Sequence, residues 1–258
     1  MATRVQALRH DDEPAFVLHA YPYRETSLIV EAFTQRHGRV PMVARGAKRP
    51  RSELRGLLQA FQLLTLSWAG AGDMKTLMKA EWRGGMPLPR GSSLLCGFYL
   101  NELLLKLLPR EDAHSRLFSE YEQTLRTLAG ETAATAQAAL LRRFELRLLA
   151  ELGYALPLAL DVESGAAIDA AGMYHYAPER GPRLATRHEA REPESRTLLV
   201  RGATLIALAT EDFSDPDSAL EAKRLMREVL DHYLDTRHIF SRRVVRDLQA
   251  MDGEGQDS

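Results

Sequence analysis

The chain has 258 residues, of which 45% are hydrophobic and 27% are charged, and its formal net charge is −1. This composition is that of a globular protein able to bury a core, and the length favours two domains. No apolar run is long enough to cross a bilayer, no secretory signal is visible, and the single cysteine excludes an intrachain disulfide and a cysteine-based metal site. We therefore expect a cytoplasmic protein that contacts no membrane.

Positive charge is concentrated in the first third of the chain. Residues 1–85 carry 13 Lys or Arg against 8 Asp or Glu, a net of +5, whereas the remaining residues carry 21 against 27, a net of −6. Within the first part, residues 36–55 hold seven basic side chains and one acid, Glu53. Such a run is suited to a phosphate backbone, because each contact releases condensed counterions. The alternative is a solubilising surface loop.

The residues from 14 to 83 have the pattern of β-strands. Branched and aromatic residues alternate with turn signals, and Gly38 can supply the positive φ that a tight reversal needs. Five strands are predicted, at 16–21, 27–34, 39–44, 62–68 and 76–82. Five short strands in this space match a small Greek-key barrel of the OB type, which strand count alone does not separate from an SH3-like barrel.

Helical periodicity follows a Gly- and Pro-rich boundary at residues 84–89. Helices are predicted at 92–108, 115–128, 133–152, from about 201, at 215–234 and at 241–251. The stretch 155–196 shows little periodicity and predicts an irregular, cysteine-free insertion, and residues 252–258 predict a disordered tail. The sequence thus predicts an α+β protein with a five-stranded OB-fold domain at 1–86 and an α-helical domain at 87–251.

The sequence offers no convincing signature of catalysis or of a bound metal. Gly70–Thr76 looks like a phosphate loop, but Met74 replaces the glycine needed before Lys75, and strands flank the segment, so a hairpin turn is expected. The eight histidines are scattered, without the HExxH spacing. We therefore expect a binding protein that is not an enzyme and needs no cofactor. The alternative is a metal-dependent nuclease built on scattered carboxylates such as Asp161, Glu163 and Asp169.

Residues 15–61 resemble the N-terminal barrel of the RecO family, the bacterial recombination mediators and DNA repair proteins. The most distinctive part is Arg45-Gly46-Ala47 followed by basic residues, Ser52 and Gly56. FYLNELL at residues 98–104, LRRFEL at 141–146 and LGY at 152–154 resemble the family's helical region. The resemblance covers roughly residues 15 to 240.

The resemblance implies an OB-fold followed by a helical domain that binds single- and double-stranded DNA. It also implies annealing of complementary strands in DNA repair and loading of recombinase onto SSB-coated single strands. The implied partners are the acidic C-terminal tail of single-strand-binding protein (SSB), RecR and, indirectly, RecA, in a nucleoid-associated cytoplasmic protein. An OB-fold adaptor that binds structured RNA or a protein partner is the alternative.

One departure from the family concerns zinc. Many members carry four cysteines after the helix that ends in Leu-Gly-Tyr, and the corresponding stretch here, 160–183, has none. The metal is therefore not carried over. Packing by residues such as Met173, Tyr174 and Tyr176 must order the segment, or it is loose.

Two sets of basic residues are assigned to binding. The set expected to contact phosphates is Arg24, Arg36, Arg39, Arg45, Lys48, Arg49, Arg51, Arg55, Lys75 and Lys79. Arg24, Lys75 and Lys79 have an alternative role as strand-edge charges. Arg142 and Arg143, beside an apolar helix face, are expected to bind an acidic peptide tail; the alternative is an amphipathic helix with solvated arginines.

Aromatic residues of the predicted barrel are candidates for stacking on bases. Tyr21, Tyr23 and Phe33 lie where a barrel face would present them to a bound strand. Strand alternation directs some of them into the core, and Phe33 is expected there.

Overall fold

The computed structural model describes residues 8–186, 189, 198–234 and 239–241. These residues divide into two compact units, the first within 1–132 together with 239–241 and the second within 133–238. The first unit contains strands β1 (Arg9–Tyr23), β2 (Ser27–Thr34), β3 (Gly38–Ala44), β4 (Leu63–Ala69) and β5 (Lys75–Trp82), with a one-turn helix, α1 (Leu54–Leu57), between β3 and β4. Two longer helices, α2 (Ser92–Leu107) and α3 (Ser115–Gly130), complete it.

The five strands form a closed barrel in the order β1-β2-β3-β5-β4. All neighbouring strands are antiparallel except β3 and β5, whose short parallel pairing at Met42–Lys75 and Val43–Thr76 closes the barrel. This arrangement confirms the predicted OB-fold. Gly38, the first residue of β3, has φ +64° directly after the turn from β2, as its position predicted.

Strand β1 is longer than predicted because it serves two neighbours. Residues 15–23 pair with β2, while residues 9–16 pair with β4, so that Ala15 and Phe16 belong to both ladders. The first half of the strand contains the acidic residues 11–13, which lack the branched and aromatic residues typical of a strand. The pairing register with β4 also shifts there, between His10 and Glu13.

The barrel is filled by apolar side chains, and helices cover one side of it. Met42, Leu64 and Trp68 are buried inside. Phe33 is fully buried too, with its ring centroid 5.4 Å from that of Phe118 on α3, so the expectation that it belongs to the core is confirmed. Asn101 on α2 donates a hydrogen bond to the Leu18 carbonyl of β1 (2.9 Å). The helices that contact the barrel belong to the same compact unit, which extends to residue 132. The domain boundary expected at 86/87 stays a prediction.

The second unit combines helices with a small sheet. Its elements are α4 (Ala134–Glu151), β6 (Met173–Ala177), β7 (Gly181–Leu184), β8 (Leu198–Arg201), α5 (Gly202–Thr210) and α6 (Pro216–Tyr233). Helix α6 begins as predicted, with Pro216 in its first turn and the Asp215 carboxylate accepting a hydrogen bond from the Ser218 backbone N–H (2.9 Å). Among the described residues, no helix is long and apolar enough to span a membrane.

Two predicted segments lie mostly or wholly outside the described residues. Only Ser241 of the helix predicted at 241–251 is described, and the tail at 252–258 is not. Within the first unit, the Glu102 carboxylate accepts hydrogen bonds from the backbone N–H groups of Phe240 (2.6 Å) and Ser241 (2.7 Å).

The stretch predicted to be irregular, 155–196, contains two strands. Strands β6 and β7 pair with each other, and β6 also pairs with β8 to give the order β7-β6-β8. Tyr174 and Tyr176 are buried on this sheet, as the packing expectation required. Strands of four and five residues are too short for a visible alternation, which is why pattern analysis missed them.

One carboxylate, Asp161, orders the turn that precedes this sheet. It accepts hydrogen bonds from the backbone N–H groups of Glu163 (3.1 Å), Ser164 (2.6 Å) and Leu184 (2.5 Å), and from the Ser164 hydroxyl (2.6 Å). The Leu184 bond ties the turn to β7. The described residues contain no group of three or more His, Cys, Asp or Glu side chains that could hold a metal ion. Hydrogen bonding to Asp161 therefore orders the turn at residues 161–164 and joins it to β7.

We predict that Asp161→Asn destabilises the protein by about 1–3 kcal/mol at pH 7, because the substitution removes a buried, charged acceptor of several hydrogen bonds. The hydrogen bonds lower the pKa of Asp161 to about 2. A folded-state pKa below the unfolded value of about 3.9 stabilises the fold at higher pH, and this contribution is lost as pH falls from about 4 towards 2. Denaturant unfolding at pH 7 and pH 3 measures both effects.

The control for this prediction is Glu163→Gln, because the Glu163 side chain is mostly exposed. It is expected to change the free energy of unfolding by less than about 0.5 kcal/mol. An Asp161→Asn deficit that matched the control, or that grew on acidification, would contradict the assigned role.

Candidate nucleic-acid interface

A cleft of about 750 Å³ opens where the β1–β2 turn, the segment after β3 and the start of β5 meet. We call it the arginine cleft. Its lining residues are Tyr23, Arg24, Glu25, Thr26, Ser27, Val43, Arg45, Gly46, Arg49, Met74, Lys75 and Thr76. The β1–β2 and β4–β5 loops are the ones with which OB-folds bind oligonucleotides and oligosaccharides. The cleft therefore occupies the ligand-binding end of this fold.

The basic loop, residues 45–55, is attached to the barrel by uncharged contacts. Gly46 has φ +70°, a conformation that favours glycine, and the reversal that it makes brings Ala47 into the barrel core with no exposed surface. The Lys48 backbone N–H donates a hydrogen bond to the Thr26 carbonyl in the β1–β2 turn (2.8 Å). The loop is thus held against the cleft.

Beyond this anchor the loop continues as three consecutive turns. The backbone N–H groups of Arg49, Ser52 and Arg55 each donate to the carbonyl three residues earlier, at 3.0, 3.0 and 3.2 Å. These bonds order the backbone of the loop, and its basic side chains are exposed.

Six of the ten predicted phosphate-contacting residues are exposed cations. They are Arg24, Arg45, Lys48, Arg49, Arg51 and Arg55. None of the six has an acidic partner within ion-pair distance in the part of the chain that the structure describes. Arg24, Arg45 and Arg49 line the cleft itself. A concentration of unneutralised guanidinium groups favours an anionic ligand, because each group otherwise repels its neighbours.

The other four predicted residues pair with carboxylates. Arg39 donates to Glu31 (2.9 Å) and to the Leu108 carbonyl (3.1 Å), and its side chain is only 15% exposed. Arg110 contacts the same Glu31 carboxylate from the other side (2.9 Å). Arg39 therefore stabilises a buried acid and joins the barrel to the segment after α2. Its geometry does not favour the predicted phosphate contact.

Lys75 is also engaged by the protein itself. It borders the arginine cleft, but its ammonium group donates to the Gly72 carbonyl and contacts Glu111, both at 2.8 Å, and its side chain is 8% exposed. One partner, Gly72, is a near neighbour in the sequence, and the other, Glu111, lies beyond α2. Like Arg39, it lacks the free surface that the prediction assumed.

Arg36 and Lys79 are exposed but paired. The Arg36 guanidinium donates to the buried Glu13 carboxylate (2.7 Å), a hydrogen bond that raises the pKa of Arg36. Lys79 contacts Glu81 on the same strand (2.8 Å), and this hydrogen bond raises the pKa of Lys79. The Lys79 pair is consistent with the alternative of a strand-edge charge. Neither residue lines the cleft.

The two arginines predicted to bind a peptide tail do not lie at one surface. Arg142 is buried and pairs with Glu145, which has no exposed surface. Arg143 is partly exposed and donates to the Glu211 carbonyl (3.1 Å), while Arg147, one turn later, contacts the Glu211 carboxylate (3.3 Å). Successive helical residues are about 100° apart, so neighbouring arginines face different surroundings.

Sequence analysis did not identify the residues that build the cleft around its cations. Thr26 accepts the hydrogen bond that attaches the basic loop through its carbonyl, and Thr76 lines the cleft. Neither carries a motif. Of the three aromatic candidates, Tyr23 lines the cleft, Phe33 is in the core, and Tyr21 lies beside His19 with a ring-centroid distance of 4.2 Å.

The barrel, with a basic loop at its ligand-binding end, defines an OB-fold protein. Comparison with known families makes this assignment specific. The family model described as Recombination protein O N terminal matches residues 10–86, and the one described as Recombination protein O C terminal matches residues 89–243. The chain belongs to the RecO family of DNA repair proteins.

Full-length relatives support the same assignment. DNA repair protein RecO of Dechloromonas aromatica is 50% identical over 241 residues, covering 93% of this chain and 97% of the relative. The protein of the same name from Aromatoleum aromaticum is 48% identical over 247 residues, covering 95% and 99%. That from Nitrosospira multiformis is 47% identical over 247 residues, covering 96% and 99%. The similarity thus extends across both units.

We predict that Arg39→Ala lowers the free energy of unfolding much more than Arg45→Ala does. Arg39→Ala removes a partner of the buried Glu31 and is expected to lower the free energy of unfolding by about 2–4 kcal/mol. Arg45→Ala removes an exposed side chain and is expected to change it by less than about 0.5 kcal/mol. Denaturant unfolding of the two variants beside the native protein measures the difference. Equal destabilisation would show that the paired and unpaired cations do not have separate roles.

Proposed function

We propose that the protein is a nonenzymatic DNA-binding mediator in DNA repair, which holds DNA on the arginine cleft and the basic loop. The single observation that carries this proposal is a group of six exposed cations at the ligand-binding end of an OB-fold, which have no acidic partner among the described residues. Membership of a family of DNA repair proteins supports DNA as the polyanion. Each phosphate neutralised there releases counterions, which gives affinity without reading sequence.

Annealing of complementary strands follows from the same electrostatics. Two single strands repel one another through their phosphates, and a cationic surface that binds both lowers this repulsion. Complementary bases can then meet while the strands remain bound. The step requires no nucleotide hydrolysis, because base pairing itself supplies the driving force.

We further propose that the mediator acts on single strands coated with SSB and helps load recombinase, in partnership with RecR and, indirectly, RecA. This role places it in the cytoplasm, at the nucleoid. The acidic SSB tail would need an accessible cation beside an apolar surface. Arg143 is more exposed than Arg142, and its engagement with Glu211 means that a peptide carboxylate would compete with this acid. Arg143 is therefore the better candidate of the two.

We predict that Arg45→Ala/Arg49→Ala weakens binding to single-stranded DNA of any sequence and flattens its salt dependence. The slope of log K against log salt concentration should fall by about 0.7 for each phosphate that the variant no longer neutralises. Fluorescence anisotropy over a salt titration measures both quantities. The proposal predicts the same direction of change for duplex DNA, with a slope change of about 0.9 per phosphate.

The matched control is Arg224→Ala/Arg227→Ala, which removes the same charge from the exposed surface of α6 in the second unit. It should leave affinity and slope near the native values at moderate salt. An unchanged slope for the cleft variant, equal weakening in the control, or tighter binding of structured RNA than of DNA in competition would each contradict the proposal.

The annealing activity has a direct assay in complementary oligonucleotides coated with SSB. The native protein should accelerate duplex formation, and Arg45→Ala/Arg49→Ala should slow it in proportion to its reduced DNA affinity. Equal acceleration by the two proteins would show that annealing does not depend on the cleft arginines.

A further inference from the structure

The arginine cleft contains an aromatic ring as well as cations. Of its lining residues in the described part of the chain, Tyr23 alone is aromatic. The ring is half-buried, and the Arg24 guanidinium carbon lies 5.1 Å from its centroid. This distance is within the range of a cation–π contact, so the guanidinium lies over the Tyr23 ring in the lining of the cleft.

The backbone of Arg24 is held in an uncommon conformation. Its φ is +51°, in the left-handed region where Gly, Asn and Asp are the usual residues. A long basic side chain at this position of the β1–β2 turn carries a conformational cost that a glycine would avoid. Such outliers are concentrated at ligand sites, and here the outlier places a guanidinium beside the Tyr23 ring.

The shape of the cleft distinguishes it from the basic loop. Exposed cations along a loop suit a continuous row of phosphates, whether on a duplex or on a single strand. A concave site of about 750 Å³ instead needs a group that can enter it. In a duplex the bases are stacked and paired inside, whereas a single strand can turn a base outwards and stack it on an aromatic ring or a guanidinium plane.

We propose that the arginine cleft receives one nucleotide of a single strand. Its base stacks on the Tyr23–Arg24 pair, and Arg45 and Arg49 hold the adjoining phosphates. This inference rests on the proposed function and adds that the site distinguishes single-stranded from duplex nucleic acid. The arginines contact phosphates of both forms, and the stacked base adds affinity for the single strand alone.

The test uses the full-length protein and two single-stranded probes of equal length, oligo-dT and the same backbone with every base replaced by an abasic tetrahydrofuran unit. Both probes carry the same phosphates, so the ratio of their dissociation constants isolates the bases. The native protein should bind the abasic probe more weakly. Tyr23 should account for about 5- to 150-fold of the difference in dissociation constant, which corresponds to the range of base–aromatic stacking.

Two substitutions locate the effect. Tyr23→Ala should lower the discrimination between the probes by that factor, while Tyr23→Phe, which keeps the ring, should preserve it. The control is Tyr21→Ala, which removes an exposed ring two residues earlier on the same strand but outside the cleft. It should discriminate as the native protein does.

Three results would overturn the inference. They are equal binding of both probes by the native protein, full discrimination by Tyr23→Ala, and loss of discrimination in Tyr21→Ala. The comparison of probes on the native protein needs no variant, so misfolding of Tyr23→Ala would not remove the test. If the abasic probe binds normally while Arg45→Ala/Arg49→Ala still flattens the salt dependence, the base site is wrong and the proposed function stands.

Discussion

The candidate site depends on the attachment of a strongly basic loop to a barrel by contacts that involve no charge. Ala47 lies in the core, and the Lys48 backbone N–H is bonded to the Thr26 carbonyl. Had a carboxylate held the loop, it would have neutralised the cations that a polyanion needs. Burial of a methyl group and one backbone hydrogen bond position the loop and leave its charge intact. The cleft exists because these two contacts bring the loop beside the β1–β2 turn.

Two groups can be distinguished among the basic side chains of the first unit. Those of one group are mostly buried and paired with acids, and those of the other are exposed. Arg39 and Lys75 satisfy acids and carbonyl groups within the first unit, where removal of either partner is costly. The exposed cations of the cleft and loop contribute little to folding, since exposed ion pairs and single surface charges have small effects on stability. Substitutions among the exposed cations can therefore change ligand affinity with little effect on the stability of the fold.

Much of the fold follows from local signals in the sequence. The five strands, the positive φ of Gly38 and the Asp215-Pro216 helix start all depend on neighbouring residues, and all are confirmed. Strands β6 and β7 were missed because a strand of four or five residues has too few positions to show a period. The hydrogen bond that joins the Asp161 turn to β7 was not predicted, because its donor, the Leu184 backbone N–H, lies 23 residues further along the chain.

The sequence predicts where the basic residues are concentrated, but it does not predict which of them pair with acids. The concentration of Arg and Lys at 36–55 is visible in the sequence, whereas the partners of Arg39 and Lys75 depend on strand register and on loop packing. Glu111, for example, is separated in the sequence from Lys75, at the start of β5, by the rest of that strand and the whole of α2. The Arg142–Glu145 pair is the exception, since acid and base three residues apart on a helix are neighbours, and this spacing was available from the sequence.

Arginine footprinting tests the central claim most directly. The native protein is treated with an arginine-specific reagent, free and bound to single-stranded DNA, and modification is quantified at each residue by mass spectrometry. The account predicts that DNA protects Arg24, Arg45 and Arg49, while Arg224 and Arg227 on α6 react as they do in the free protein. Protection confined to the second unit, with the cleft arginines as reactive as before, would contradict it.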